Sequence, residues 1–218
     1  MSQTAVTSEG RTSIGAALAR LASEDPDRHA VTAGGRTLTR IELDGRTNRL
    51  AHAYLERGLR PGSFVTIALP TGIEFLEAVI AVWKAGATPQ PVSHRLPPRE
   101  LQQIIELADP SLVVGLSAVA DRPGVPVGFE ADDSVGADRL PDAIAPALKA
   151  PTSGGSTGRP KLIVSTEEAT AEALTGFGAL VRLQPGGVVL STGPMSHNGP
   201  LLTVTSALFS GCHVVMME

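Results

Sequence analysis

The feature that most constrains the fold of this chain is a regular alternation of apolar strand segments with helical segments. Residues 63–69, 87–92 and 111–114 are short apolar runs typical of strands, and helical patterns over 73–84 and 98–108 separate them. Strands that alternate with helices at this spacing indicate βαβ units, whose strands run parallel. The sequence therefore predicts an α/β fold with mostly parallel sheets flanked by helices.

The remaining segments extend the same pattern toward both ends of the chain. Two strands around Gly34 and Gly35 predict a hairpin, and the apolar helix 73–84 is predicted to be buried. The other predicted helices cover residues 12–23, 40–57, 167–180 and 201–209. The other predicted strands cover 125–129, 188–191 and 213–217, and residues 193–199 are predicted to form a turn.

The distribution of polar residues predicts the domain organisation. Residues 1–11 are predicted to be a disordered lead, 12–129 an α/β subdomain, 130–150 a surface linker rich in Asp and Pro, and 151–218 the start of a second α/β subdomain. The chain stops at Glu218 directly after a strand of buried type. We therefore expect it to be the truncated first part of a longer protein.

Composition excludes several functional classes. The net charge is −4 and only 3% of the residues are aromatic, so neither a basic face nor stacking side chains favour nucleic-acid binding. The single cysteine, Cys212, excludes an internal disulfide and a cysteine-rich metal site. No apolar run approaches the length of a membrane span, and no signal core precedes Thr12. The expected location is cytoplasmic.

The segment 151–161, Pro-Thr-Ser-Gly-Gly-Ser-Thr-Gly-Arg-Pro-Lys, carries the clearest chemistry. Glycines let the backbone approach a ligand closely, and consecutive N–H groups, hydroxyls and an ammonium supply donors for an anion. The pattern predicts a loop that binds a polyphosphate, and a flexible Gly/Ser linker is the alternative. It is not the common P-loop, because Lys161 precedes Leu162 and a strand instead of opening a helix.

Residues 153–161 resemble the signature loop of the adenylate-forming enzymes, which include acyl-CoA synthetases, luciferases and peptide-synthetase adenylation domains. Two further stretches agree in order and spacing. Residues 69–92 resemble the early helix of the family and its Gly-Ala-x-x-x-Pro-Val turn, and residues 194–199, Pro-Met-Ser-His-Asn-Gly, resemble the Pro-x-x-His segment that borders the acyl pocket. The resemblance covers the chain from residue 12 onward and implies the N-terminal part of the large domain.

Three departures from the family pattern indicate the acyl-CoA synthetase branch. Gly154 stands where the family usually has Ser, Leu162 replaces the glycine after the lysine, and Glu167 falls near a position that is often His. The later motifs of the family lie beyond Glu218.

The resemblance implies a two-step reaction of an acid–thiol ligase. A carboxylic acid attacks MgATP to give acyl-AMP and pyrophosphate, and the thiol of coenzyme A then displaces AMP. No second His, Asp or Cys stands at metal-ligand spacing from His197, so no protein-held metal is expected, and magnesium would come with ATP. The catalytic lysine of the family belongs to the later motifs, so no catalytic side chain is expected within this chain. ATP would be held by the following residues of the loop: Ser153, Gly154, Gly155, Ser156, Thr157, Gly158 and Lys161.

The acid pocket would be bordered by His197, Asn198 and Gly199. A structural role for His197 and a solvated Lys161 are the alternatives for these two residues. By itself the fragment would be inactive. A non-catalytic binding or scaffold module that works with a partner chain is the alternative for the whole chain, and homo-oligomerisation stays open.

Overall fold

The computed structural model describes residues 10–119, 121–132, 134–153 and 160–217. Six helices lie in these ranges: α1 (Ile14–Glu24), α2 (Arg40–Glu56), α3 (Ile73–Lys84), α4 (Pro98–Ala108), α5 (Ala171–Leu180) and α6 (Asn198–Phe209). Ten strands accompany them: β1 (His29–Ala33), β2 (Arg36–Thr39), β3 (Phe64–Ile67), β4 (Thr88–Pro91), β5 (Leu112–Val119), β6 (Arg122–Pro126), β7 (Thr152–Ser153), β8 (Lys161–Leu162), β9 (Val188–Ser191) and β10 (His213–Met216).

The strands form two four-stranded sheets and one small two-stranded sheet. The first has the order β4-β3-β5-β6, in which β3 runs parallel to β4 and β5 while β6 is antiparallel to β5. The second has the order β2-β1-β10-β9, in which β1 and β9 run parallel to β10. The predicted α/β fold with mostly parallel sheets is confirmed.

The second sheet joins distant parts of the chain. Val31 of β1 pairs with Val214 of β10, so the N-terminal hairpin lies beside the last strand. Residues 12–129 and 151–218, predicted as two subdomains, thus contribute strands to one sheet. Of the predicted disordered lead, residues 1–9 lie outside the described residues, and Arg11 forms an ion pair with Glu168.

Helix α3 lies at the centre of the core, as its apolar sequence predicts. All of its residues except Glu74 are buried, including the large side chains of Phe75, Leu76 and Trp83. Burial of such side chains is worth about 1.5–3 kcal/mol each. Among the helices that the structure describes, none is long and apolar enough to cross a membrane.

Two charged residues of α3 are buried with partners. Arg46 of α2 donates to both carboxylate oxygens of Glu77. The Lys84 ammonium donates to Oδ1 of Asp44 at 2.7 Å, to the Asp44 carbonyl at 3.1 Å and to Oδ1 of Asn48 at 2.6 Å. Burial nevertheless lowers the pKa of Lys84 to about 8. These pairs tie α2 to α3.

The segment 130–150 differs from its prediction as a surface linker. It contains no helix or strand among its described residues, but Ala145, Leu148 and Ala150 are buried. The indole N–H of Trp83 donates to the Leu148 carbonyl at 2.9 Å, and Ala150 N–H donates to the Pro89 carbonyl at 3.0 Å. The second half of this segment is therefore part of the core, because its small apolar side chains pack against α3 and β4.

Candidate functional site

The strands β7 and β8 form the base of the loop that the sequence predicts to bind phosphate. They are antiparallel, with Thr152 opposite Leu162 and Ser153 opposite Lys161. This pairing confirms that a strand, and not a helix, follows the loop. Five of the predicted binding residues, Gly154, Gly155, Ser156, Thr157 and Gly158, lie outside the described residues, so their roles stay predictions.

The segment that leads into β7 is held firmly on both sides. On one side, Ala150 N–H bonds the Pro89 carbonyl of β4. On the other, the carbonyls of Lys149 and Pro151 accept from Ser165 N–H at 2.9 Å and Ile163 N–H at 2.8 Å. The loop therefore starts from a fixed backbone position.

A buried amide adds a side-chain anchor to this base. Gln90 of β4 is fully buried and donates through Nε2 to the Thr152 hydroxyl at 3.3 Å. Its Oε1 accepts from the hydroxyl of Thr66 on β3, which is also fully buried. The bridge Thr66–Gln90–Thr152 thus connects the first sheet to the strand that enters the loop.

An open cleft of about 540 Å³ lies beside the base of the loop. Ser153 borders it from β7, and Ser196, His197 and Asn198 border it from the start of α6. Its remaining lining is mostly apolar, with two charged residues: Pro91, Val92, Ser93, Leu96, Glu100, Ile104, Lys149, Pro151, Thr152, Ile163 and Ser165. The cleft brings Ser153 together with two of the three residues predicted to border the acid pocket.

His197 lies immediately before α6 and caps its N-terminus with an extended backbone. Its imidazole is exposed and makes no capping hydrogen bond, so the ring is available to a ligand in the cleft. Helix α6 begins at Asn198, within the turn predicted for 193–199 and three residues before the predicted start. Proline is tolerated in the first turn of a helix, where N–H groups lack helical partners, so Pro200 does not delay the start.

A second cleft, of about 860 Å³, adjoins the first. The two share Ser93, Ser196 and His197, so His197 lies on the border between them. Residues after the carboxyl ends of β3, β4, β9 and β10 contribute to this lining. In α/β folds, ligands bind at this edge of parallel sheets.

Two predicted residues lie apart from these linings. Lys161 is exposed on β8, opposite Ser153. Gly199 is exposed in the first turn of α6, with open space around its Cα. The structure thus gathers Ser153, His197 and Asn198 at one cleft and leaves Lys161 and Gly199 at its periphery.

Sequence reasoning missed Lys149 and Gln90. Lys149 lines the cleft and is partly buried, and burial lowers the pKa of its ammonium. The alternation of Lys149, Pro151 and Ser153 on one face of an extended segment could have revealed it. No sequence pattern marks Gln90, because its role depends on two hydroxyls that the fold brings to it. Among the described residues, no group of three or more His, Cys, Asp or Glu could hold a metal ion.

Comparison with protein-family models identifies the chain. Residues 18–218 match the model described as AMP-binding enzyme. The chain belongs to the AMP-binding enzyme family. The resemblance to adenylate-forming enzymes that the loop and its two companion stretches suggest is therefore confirmed.

The relatives include a peptide synthetase and a CoA ligase. The chain is 31% identical over 216 residues to the probable non-canonical nonribosomal peptide synthetase CymA of Salinispora arenicola, covering 93% of the chain and 3% of that protein. It is 29% identical over 234 residues to 3-oxocholest-4-en-26-oate–CoA ligase of Rhodococcus rhodochrous, covering 88% of the chain and 42% of that protein. The chain thus spans less than half the length of either relative.

A solved structure agrees with the fold. The long-chain-fatty-acid–CoA ligase FadD1 of Archaeoglobus fulgidus superposes with a TM-score of 0.82 at 20% identity, covering 95% of this chain and 47% of that one. The predicted assignment to the N-terminal part of the large domain of an adenylate-forming enzyme is confirmed at the level of the fold.

Proposed function

We propose that this chain is the part of an ATP-dependent acid–thiol ligase that holds the phosphates of ATP and one wall of the acid pocket. The complete protein would activate a carboxylic acid as acyl-AMP and transfer the acyl group to the thiol of coenzyme A. In the first step, a carboxylate oxygen attacks the α-phosphorus of ATP and the bond to the β-phosphate breaks, so pyrophosphate leaves.

One observation carries this proposal. The cleft of about 540 Å³ is bordered by Ser153, where the phosphate loop begins, and by His197 and Asn198, which belong to the segment expected at the acid pocket. Its volume falls within the range of roughly 300–1,000 Å³ typical of small-molecule sites. Both reactants of an adenylation would therefore meet at one place.

The loop suits the first step because the negative charge on pyrophosphate must be stabilised as it leaves. Ser153, Ser156, Thr157 and the backbone N–H groups of the loop glycines would donate hydrogen bonds to the β- and γ-phosphates. Lys161 lies opposite Ser153 on β8 and would add a positive charge. Because Lys161 is exposed, its side chain has room to change rotamer and bring the ammonium toward the loop. Magnesium bound with ATP would neutralise further phosphate charge.

The acid would lie against His197 and Asn198, in the cleft that also has an apolar lining. Val92, Leu96 and Ile104 favour an acid with an apolar body over a small polar one. His197 borders both clefts and would separate the acid from the second cleft.

Pyrophosphate exchange tests the first step. The full-length protein that contains this chain is incubated with ATP, labelled pyrophosphate and a panel of aliphatic, steroidal and aromatic acids. We expect acid-dependent exchange, and we expect Lys161→Ala and Thr157→Ala to reduce it by about 10-fold or more, as for the loss of a charge-assisted hydrogen bond. Arg99→Ala, an exposed change on α4, serves as the control. Undiminished exchange in both loop variants would refute the assignment of the loop.

The acceptor requires a separate assay, because one relative is a peptide synthetase and another a CoA ligase. The purified protein is given its best acid, ATP and either coenzyme A or a phosphopantetheinylated carrier protein, and the products are weighed by mass spectrometry. Release of acyl-CoA supports the proposal. Acylation of the carrier protein alone would replace coenzyme A with that acceptor while leaving the adenylation step intact.

A further inference from the structure

Lys149 lines the candidate site and belongs to the segment that precedes the phosphate loop. Lys149, Pro151 and Ser153 alternate along this extended segment, and all three line the cleft of about 540 Å³. Four residues of extended chain span about 13 Å. Lys149 therefore lies in the same cleft as the loop but well separated from its first residue.

The Lys149 ammonium forms no hydrogen bond or ion pair with any residue in the described ranges, although it is partly buried. The backbone carbonyl of Lys149 accepts from Ser165 N–H at 2.9 Å. Burial alone lowers the pKa of its ammonium. A charge that loses water without gaining a partner is costly, so an anion at this point would stabilise it.

Lys84, which is buried, provides a comparison with a structural lysine. Lys84 is bonded to Asp44 and Asn48 through three hydrogen bonds, within a packed core. Lys149 instead lines an open cleft. Glu100 also lines the cleft, and among the described residues no ion pair joins it to Lys149. Lys149 thus has the surroundings of a ligand-binding residue rather than those of a structural one.

The reactants of the proposed reaction limit which anion Lys149 could bind. These reactants carry carboxylate and phosphate groups, and the carboxylate loses its charge when it becomes an acyl phosphate. Phosphate groups keep their charge through both steps, and both ATP and coenzyme A carry them. An ammonium that lines this cleft several residues before the loop is therefore best matched by a phosphate.

We propose that Lys149 forms a second phosphate-binding point in this cleft, which anchors a phosphate group of ATP or of coenzyme A. This inference rests on the function proposed above, but it concerns binding and does not require turnover. Lys149 acts as a binding residue that fixes the reactant along the cleft, while the loop holds the departing pyrophosphate.

Equilibrium binding to the full-length protein tests this inference. Dissociation constants for ATP and for coenzyme A are measured by titration calorimetry for the wild type, Lys149→Met, Lys149→Arg and the control Arg99→Met. Methionine keeps the length of the side chain without its charge, and arginine keeps the charge. Arg99 loses the same charge from an exposed position on the neighbouring helix.

We expect Lys149→Met to weaken binding of one of the two ligands by about 10-fold or more, and Lys149→Arg to restore most of the loss. The ligand that is weakened identifies the source of the phosphate. The melting temperature of Lys149→Met should equal or exceed that of the wild type, because an unpaired, partly buried charge is removed. Arg99→Met should leave both dissociation constants within twofold.

Two results would overturn the inference. In the first, both dissociation constants are unchanged in Lys149→Met. In the second, the variant has a lower melting temperature and binds both ligands equally poorly, which would indicate a structural role. Pyrophosphate exchange, run in parallel, tests the proposed function separately. If the wild type binds ATP through Lys149 but exchanges no pyrophosphate, the proposed adenylation reaction is contradicted. The proposed phosphate-binding role of Lys149 is not.

Discussion

The bridge Thr66–Gln90–Thr152 allows a quantitative test of how the phosphate loop is anchored. Gln90→Leu removes both side-chain hydrogen bonds and leaves the Thr66 hydroxyl, which is fully buried, without a partner. An unsatisfied buried hydroxyl costs about 1–3 kcal/mol. Thr152 lines the open cleft, where water can replace the lost 3.3 Å bond at little cost. We therefore expect Gln90→Leu to lower the free energy of unfolding by about 2 kcal/mol.

A double-mutant cycle separates this mechanism from a simple loss of packing. Thr66→Val leaves Oε1 of Gln90 without its donor and should also cost about 2 kcal/mol, whereas the double variant replaces both partners by apolar groups and should cost no more than about 2 kcal/mol in total. The magnitude of the coupling energy is then at least about 2 kcal/mol. Urea unfolding of the 218-residue chain, followed through its single tryptophan, the buried Trp83, measures all four states.

Additive effects of the two substitutions would refute the reasoning, because they would mean that the amide and the hydroxyl do not depend on each other. Thr205→Val provides the matched control. Its hydroxyl is equally buried but bonds the Leu201 carbonyl of its own helix, so this change should add to Gln90→Leu without coupling. In the full-length protein we also expect Gln90→Leu to raise the KM for ATP, since Thr152 precedes the first residue of the loop.

Three further predictions concern stability and association. Between pH 8 and 10.5 the unfolded state binds more protons at Lys84 than the folded state. The wild type should therefore gain up to about 1.4 kcal/mol of unfolding free energy per pH unit relative to Lys84→Met, and equal slopes in denaturant titrations would contradict this. Trp83→Phe should lose about 1–3 kcal/mol because the buried Leu148 carbonyl loses its 2.9 Å donor; an unchanged urea midpoint would count against that anchor. Leu190, on edge strand β9, is 61% exposed, so Leu190→Lys should reduce light scattering by the 218-residue chain without changing its melting temperature, and unchanged scattering would exclude this edge as a site of self-association.

Local sequence patterns predicted several elements closely. Helix α3 has the predicted bounds, and the hairpin β1–β2 forms around Gly34 and Gly35, which both have positive φ. Helix α5 begins at Ala171, four residues later than predicted, because the Thr170 hydroxyl accepts from Ala173 N–H and caps the helix there. Apolar periodicity indicates that a helix exists, but its start depends on which side chain caps it.

The strand pair β5–β6 shows where local patterns fail. The prediction ended the first strand at Val114 and placed the second at 125–129, since glycine and proline usually interrupt strands. In the structure, β5 continues to Val119 and β6 begins at Arg122. The register of their pairing shifts between Val113 and Gly115. The glycine and proline residues are accommodated by a bulge in the antiparallel β5–β6 pair. The bulge can be recognised only from the pairing of the two strands.

The sequence by itself determined the helices, the hairpin and the strands at the base of the phosphate loop, because these depend on periodicity, caps and turns within a few residues. It also determined the family, through three motifs in order. Only the tertiary structure decided that β1 pairs with β10, that the second half of the 130–150 segment is buried, and that Gln90 and Lys149 lie at the site. The physical reason is that burial and hydrogen-bond partners depend on segments far apart in sequence. The cost of burying part of the Lys149 side chain is defined only once the fold has placed the walls of the cleft beside it.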